Sequence, residues 1–296
     1  QQFRRDLLPD LVVGIQGEYG PELLVFESPK GALHAAPEQF PLPAPVTSIA
    51  SGKWNDDGYV DIAAACGDEL IVVHGRNRWL GAAASWRNTA TPGQASHKAG
   101  FTIADIASGY FTEGHEEGLA LLDTSGGIHI MTRKGDIPAW EGDMASASIP
   151  CEENSGKAPR NLRLLPFFGS AAGGSSLLVY GENTGYLLDR ASFDAMRETS
   201  DAGLKALPAA LDDVRAAMAM NLNCDALGDL VFLEQNSEGE PWLTVAESMA
   251  LATFTVTDTG TLPDENVGDG ICRTCLKYDA GTCVEYGPCT LRAAIE

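Results

Sequence analysis

The 296 residues suffice for one large or two ordinary domains, with a core large enough to need no staples. Forty-one acidic side chains against 20 basic ones give a formal charge of −21. That charge repels a phosphate backbone and anionic lipid head groups alike, which excludes nucleic acid as a partner class. The 32 Gly and 16 Pro among 44% hydrophobic residues favour many short strands, and no run approaches the ~18 apolar residues of a membrane helix, so no membrane insertion is expected.

The first residues, Gln1-Gln2-Phe3-Arg4-Arg5, hold neither an initiator Met nor an apolar signal core, and read as a mature or trimmed product. One pattern then recurs: a small-residue strand, a polar loop, and a short apolar strand followed by a Gly-containing turn and another strand. Leu11–Val13 with Leu23–Phe26 is a first copy whose leading strand is short or missing. The stretch Ser51–Ile62 aligns without gaps on Ser108–Leu119. Both lead into paired apolar runs, Ile62–Cys66 with Leu70–Val73 and Leu119–Leu122 with Ile128–Met131. Leu177–Tyr180 with Tyr186–Leu188, and Leu230–Leu233 with Trp242–Val245, repeat the two-strand form.

Taking Leu11, Ile62, Leu119, Leu177 and Leu230 as equivalent gives spacings of 51, 57, 58 and 53 residues. A period of about 55 residues holding three to four strands predicts an all-β fold, a β-propeller of about five blades over residues 1–250. Its first blade is incomplete, the leading strand being absent or donated by a late segment such as Ala250 to Val256. Apolar runs without strict alternation suit inner strands covered on both faces. Between Ala191 and Ala210, Phe193, Met196 and Leu204 mark a short helix or a long loop inserted in the fourth blade.

No His-Glu-x-x-His, Gly-x-Ser-x-Gly or phosphate-cradling glycine loop is present, so no enzyme is expected in this chain. The five histidines are scattered over several repeats and read as surface or strand residues. Glu116-Glu117 and Asp212-Asp213 are adjacent, and neighbours on a strand point to opposite faces, so neither forms an acid/base couple. Trp54, Tyr110 and Phe111 occupy corresponding positions and serve either as packing between blades or as a sugar-binding rim. Cys66 ends an apolar strand as a buried thiol, while Cys151 and Cys224 are free or paired.

Asn55, Asp57 and Asp61, with Gly58 at the turn, sit at offsets that let oxygens converge on one hard cation, and Asn221, Asn223, Asp225 and Asp229 repeat them. The same residues are ordinary turn formers, so each loop is equally readable as an Asx-turn connector. These loops resemble the signature of FG-GAP (VCBS) repeats over roughly residues 1–250, which implies propeller blades and calcium as a cofactor. Lys53 stands where that family's first acidic ligand is expected, and Ala226 replaces the turn glycine in the last copy.

Past residue 250, Phe254–Thr259 alternates as a strand. Gly268–Cys272 and Cys289–Glu296 resemble the two ends of a CSLREA domain, so residues 251–296 read as the truncated start of such a module. The resemblance implies a capping helix ahead of a β-helix on an exported bacterial protein. Four cysteines within 18 residues, Cys272, Cys275, Cys283 and Cys289, suit an oxidising compartment. Zinc hooks usually lie ~15–20 residues apart, so the spacing favours disulfides, with Cys272–Cys289 and Cys275–Cys283 preferred among three connectivities.

Together these readings predict a secreted or cell-surface binding, adhesion or extracellular assembly protein whose partners are a protein or glycan ligand or other copies of itself. The alternative is the non-catalytic front of an exported polysaccharide lyase or hydrolase.

Overall fold

Short apolar runs joined by tight turns pair with their immediate neighbours, because an antiparallel partner is reachable through a few residues. A computed structural model describes residues 10–26, 34, 36–55, 57–75, 93–111, 117–131, 144–149, 161–167, 174–182, 184–198, 205–206, 213–222, 228–236, 238–246, 260, 262, 274–279 and 282–288. Within them the protein is all-β, a succession of small antiparallel sheets whose strands follow chain order.

The first sheet holds β1 (Leu11–Gly17), β2 (Gly20–Phe26) and β3 (Glu38–Pro41). The second holds β4 (Val46–Gly52), β5 (Asp61–Cys66), β6 (Glu69–Val73) and β7 (Gln94–Lys98). In the third are β8 (Ile103–Gly109), β9 (Gly118–Asp123), β10 (Gly127–Met131) and β11 (Met144–Ser148). The fourth contains β12 (Arg163–Phe167), β13 (Ser176–Gly181), β14 (Thr184–Leu188) and β15 (Lys205–Ala206), and the fifth β16 (Asp213–Met220), β17 (Asp229–Gln235) and β18 (Pro241–Ala246). A separate hairpin pairs β19 (Thr274–Asp279) with β20 (Thr282–Gly287).

Register fixes the equivalence of the sheets. Gly52 pairs with Asp61, Gly109 with Gly118, Phe167 with Ser176 and Met220 with Asp229, nine residues apart each time. The anchors Ile62, Leu119, Leu177 and Leu230 therefore stand at one ladder position. Register shifts recur near the start of β4, β8 and β16. Such bulges bend a strand and raise its twist.

The second, third and fourth sheets each pack one face on the preceding sheet and the other on the following one. In β5, Ile62, Ala64 and Cys66 pack with Leu23, Val25 and Phe40 of the first sheet, while Ala63 and Ala65 pack with Leu119 and Leu121 of the third. Ala120, Leu122, Ile128 and Ile130 then meet Leu177 and Val179, and Leu178 and Tyr180 meet Leu230 and Phe232. All of β5 and β13 is buried, which is why their sequences run apolar without alternation. The first strands of successive sheets are neighbours: β4 lies against β8, β8 against β12, and β12 against β16.

Between β14 and β15 lies α1 (Arg190–Glu198), which resolves the helix-or-loop alternative in favour of a helix. Asp189 caps it, its Oδ1 accepting the Ser192 N–H at 3.0 Å. Phe193 and Met196 enter the core, and the Phe193 ring meets Phe111 edge-on at 5.2 Å. Among the described residues no helix is long and apolar enough to cross a membrane.

Candidate functional site

The loop from Gly52 to Asp61 joins β4 to β5. Gly52 opens it because a side chain there would collide with the Trp54 ring, 2.7 Å from the built Cβ; Gly109 stands in the same relation to Phe111. Trp54 and Phe111 are buried, so these two aromatics pack between sheets and do not form a rim.

Inside the loop the sequence-predicted ligands bond to one another and to backbone. Asn55 Oδ1 accepts the Asp57 N–H at 3.2 Å, and Asn55 Nδ2 donates to Asp57 Oδ2 at 3.0 Å. Asp57 Oδ1 takes the Tyr59 N–H at 2.8 Å, while Gly58 supplies the left-handed turn at φ +77°. Asp61 is fully buried; its Oδ2 accepts the Trp54 N–H at 3.0 Å and its Oδ1 the Gly75 N–H at 2.8 Å.

His74 completes this cluster, its Nδ1 lying 3.4 Å from both Asp61 Oδ1 and Asn55 Nδ2. The hydrogen bond to Asp61 raises its pKa, against the opposing effect of burial and with further help from the Asp61 and Asp57 charges. A histidine bonded to the loop's innermost carboxylate was not foreseen from sequence, where the two residues are 13 apart, one heading β5 and the other just past β6.

The fifth sheet keeps the innermost bond. Asp229, also fully buried, accepts the Leu222 N–H through Oδ2 at 2.7 Å, the same seven-residue span as Asp61 to Trp54. Asn221 is described and exposed, whereas Asn223 and Asp225 lie outside the described residues. Thus the structure gives Asp61 and Asp229 one shared task, closing the loop on its own backbone. Among the described residues no group of three or more His, Cys, Asp or Glu converges as a metal site.

Where the third sheet has Gly118 in place of that aspartate, Glu117 supplies a carboxylate directed elsewhere. It accepts the Lys53 N–H of the second sheet's loop at 2.6 Å and the Ser108 hydroxyl at 3.0 Å. In the next repeat Ser175 plays the same part, taking the Tyr110 N–H on its hydroxyl at 3.0 Å. Lys53 and Tyr110 are equivalent in register, as are Glu117 and Ser175, so each loop is tied to the following sheet by a side-chain acceptor. A second row of ties runs along the first strands. Ser48 Oγ accepts the Ile106 N–H at 3.3 Å, and Asp105 Oδ2 accepts the Leu164 N–H at 2.9 Å.

One free thiol, one disulfide-bonded cysteine and one further carboxylate complete the chemistry of the described residues. Cys66 is a free, buried thiol whose pKa is pushed up to about 11 by burial and then by the Glu69 charge, which keeps it protonated at neutral pH. At the β9–β10 turn, Asp123 accepts the Ser125 N–H and hydroxyl and the Gly127 N–H on Oδ1, and its Oδ2 lies 2.9 Å from His129 Nε2. The His129 ring in turn stacks on Phe101 at 4.0 Å. Cys275 is disulfide-bonded. Cys283 lies opposite Tyr278 in the hairpin, and Cys272, Cys289, Cys151 and Cys224 lie outside the described residues. No family model matches the chain, and no curated protein matches it.

Proposed function

We propose that the chain is an exported binding and assembly module, a β-propeller of FG-GAP/VCBS type whose sheets are its blades, followed by the start of a CSLREA-like segment. The observation that carries the reading is the row of first strands, β4, β8, β12 and β16, each the neighbour of the next beneath face-to-face apolar seams. Adjacent first strands beneath face-to-face seams support an arrangement of blades about an axis. Ties such as Lys53 to Glu117 and Tyr110 to Ser175 hold the loops at one end of that row rigid. Rigidly mounted loops are where binding residues concentrate.

The ligand in this proposal is a protein or a glycan at the cell surface, with calcium held by the Asn55–Asp61 and Asn221–Asp229 loops. The experiment is binding of the labelled chain to whole cells, a glycan panel and immobilised copies of itself, in calcium and in chelator. Saturable binding to one of these supports the reading, and its loss in chelator supports the calcium part. Release of shorter sugars from a polysaccharide by the chain would replace it with a hydrolase or lyase, and binding to none would end it.

A further inference from the structure

The two ends of the row of sheets are unequal to its interior. At the ladder position of Leu70 and Val72 in the second sheet the side chains are 0% and 1% exposed, and their third-sheet equivalents Ile128 and Ile130 are equally buried. The fifth-sheet equivalents, Leu243 and Val245, are 69% and 48% exposed. They are joined on that face by Leu233, directly opposite Leu243, and by Met218 and Val231, in line with Val245. In every earlier sheet this is the face that packs on the next one.

The first sheet shows the complementary half. Leu11 is 39% exposed, although its equivalents Ile62, Leu119, Leu177 and Leu230 are buried against a preceding sheet. Val13 and Leu24 continue that face, paired across β1 and β2 and only partly buried. Among the described residues the chain thus leaves uncovered one example of each side of an interface that it builds internally between each pair of successive sheets.

We propose that the fifth-sheet face of one copy seats the first-sheet face of a second copy of this chain, head to tail. The occupant follows from the interface itself: what covers Leu70 and Val72 is the predecessor-facing side of a sheet, and among the described residues the example of that side that no sheet covers is at Leu11, Val13 and Leu24. A heterologous contact of this kind closes into a ring or grows into a filament. The acidic net charge opposes association of copies, so the assembly strengthens as salt screens it. The inference rests on the blade reading of the sheets but not on the ligand.

The test is the mass distribution of the chain by light scattering and sedimentation over a concentration series at low and moderate salt. Leu243→Lys and Leu11→Lys each place a charge on an exposed side chain, and unchanged circular dichroism and thermal unfolding verify their folds. The expected result is concentration-dependent assembly of the wild type, loss of all assembly in either variant alone, and a discrete 1:1 dimer when the two variants are mixed. That mixture restores one intact pair of faces. A wild type that stays monomeric throughout overturns the interface while leaving ligand binding intact. Assembly that survives Leu11→Lys, or variants that fail to combine, overturns the head-to-tail pairing.

Discussion

Asp105 accepts the Leu164 backbone N–H at 2.9 Å across the seam between the third and fourth sheets. Its other oxygen takes the Ser48 hydroxyl of the second sheet at 2.5 Å and the N–H of Ile106 at 3.0 Å. One buried carboxylate therefore links three consecutive sheets. Truncation would leave the Leu164 N–H without its acceptor inside the seam, and an orphaned buried donor costs more than the bond itself contributes. Asp105→Ala is expected to lower stability by about 2–4 kcal/mol, and Asp105→Asn by about half that, because the amide oxygen still accepts. Denaturant unfolding measures both; a loss below about 0.5 kcal/mol for the alanine variant would remove Asp105 from this role.

Gly52 and Trp54 form a second coupled pair. The Cβ of alanine at 52 would lie 2.7 Å from the indole and from the Ser108 hydroxyl, so the ring must shift out of the seam where it is buried. Gly52→Ala is expected to cost about 1–3 kcal/mol, as overpacking does. In a Trp54→Ala background the collision with the ring is gone and only the Ser108 hydroxyl must give, so its added cost falls. A double-mutant cycle reads the coupling directly, and strict additivity would contradict the contact.

The strands were legible in the sequence because short apolar runs alternate with polar turns, and some loop residues come back in more than one sheet: Gly52 and Gly109 ahead of an aromatic, Asp61 and Asp229 at the head of an apolar run. The Asn55–Asp57–Asp61 loop was legible as a unit for the same reason. What joins the units was not. Glu117 meets Lys53 at a separation of 64 residues, and Asp105 meets Leu164 at 59, so no local signal in either segment announces the partner. Cation coordination and a self-bonded turn draw on the same Asn, Asp and Gly residues, so neither residue type nor spacing separates the two, and Asn55 and Asp57 bond to each other.

Asp123 gives a pH dependence. Burial opposes its charge, yet the hydrogen bonds from Ser125, His129 and Gly127 outweigh it and hold the carboxyl below its ordinary value. A depressed folded value contributes stability that is present above the unfolded value, about 3.9, and is lost as pH falls through the folded one. Asp123→Asn is therefore expected to be less stable than the wild type near neutrality, with the gap closing in acid below about pH 4. Unfolding free energies of both proteins over a pH series give the answer; a gap of constant size from neutral to acid pH would show that the charge is not what Asp123 contributes.

The hairpin of β19 and β20 depends on its cross-link more than the sheets do. Only Thr274 is buried among its described side chains, whereas Leu276 and Tyr286 are exposed, and an isolated two-stranded hairpin is marginal in water. Cys275 is disulfide-bonded, and with Cys283 as its partner the bond closes a loop of roughly nine residues, which removes enough unfolded-chain entropy to stabilise by roughly 2.5 kcal/mol in the chain-entropy model. Reduction, or Cys275→Ser, is expected to strip hydrogen-exchange protection from Thr274–Asp279 and Thr282–Gly287 while leaving β5, β9 and β13 protected. Collapse of protection in all of them together would make the hairpin part of one cooperative unit with the sheets. Peptide mapping of the unreduced chain names the partner of Cys275. The nested arrangement puts Cys283 there, two ladder steps away once the register shifts between Cys275 and Tyr278 are counted, and Cys272 or Cys289 in its place would replace that arrangement.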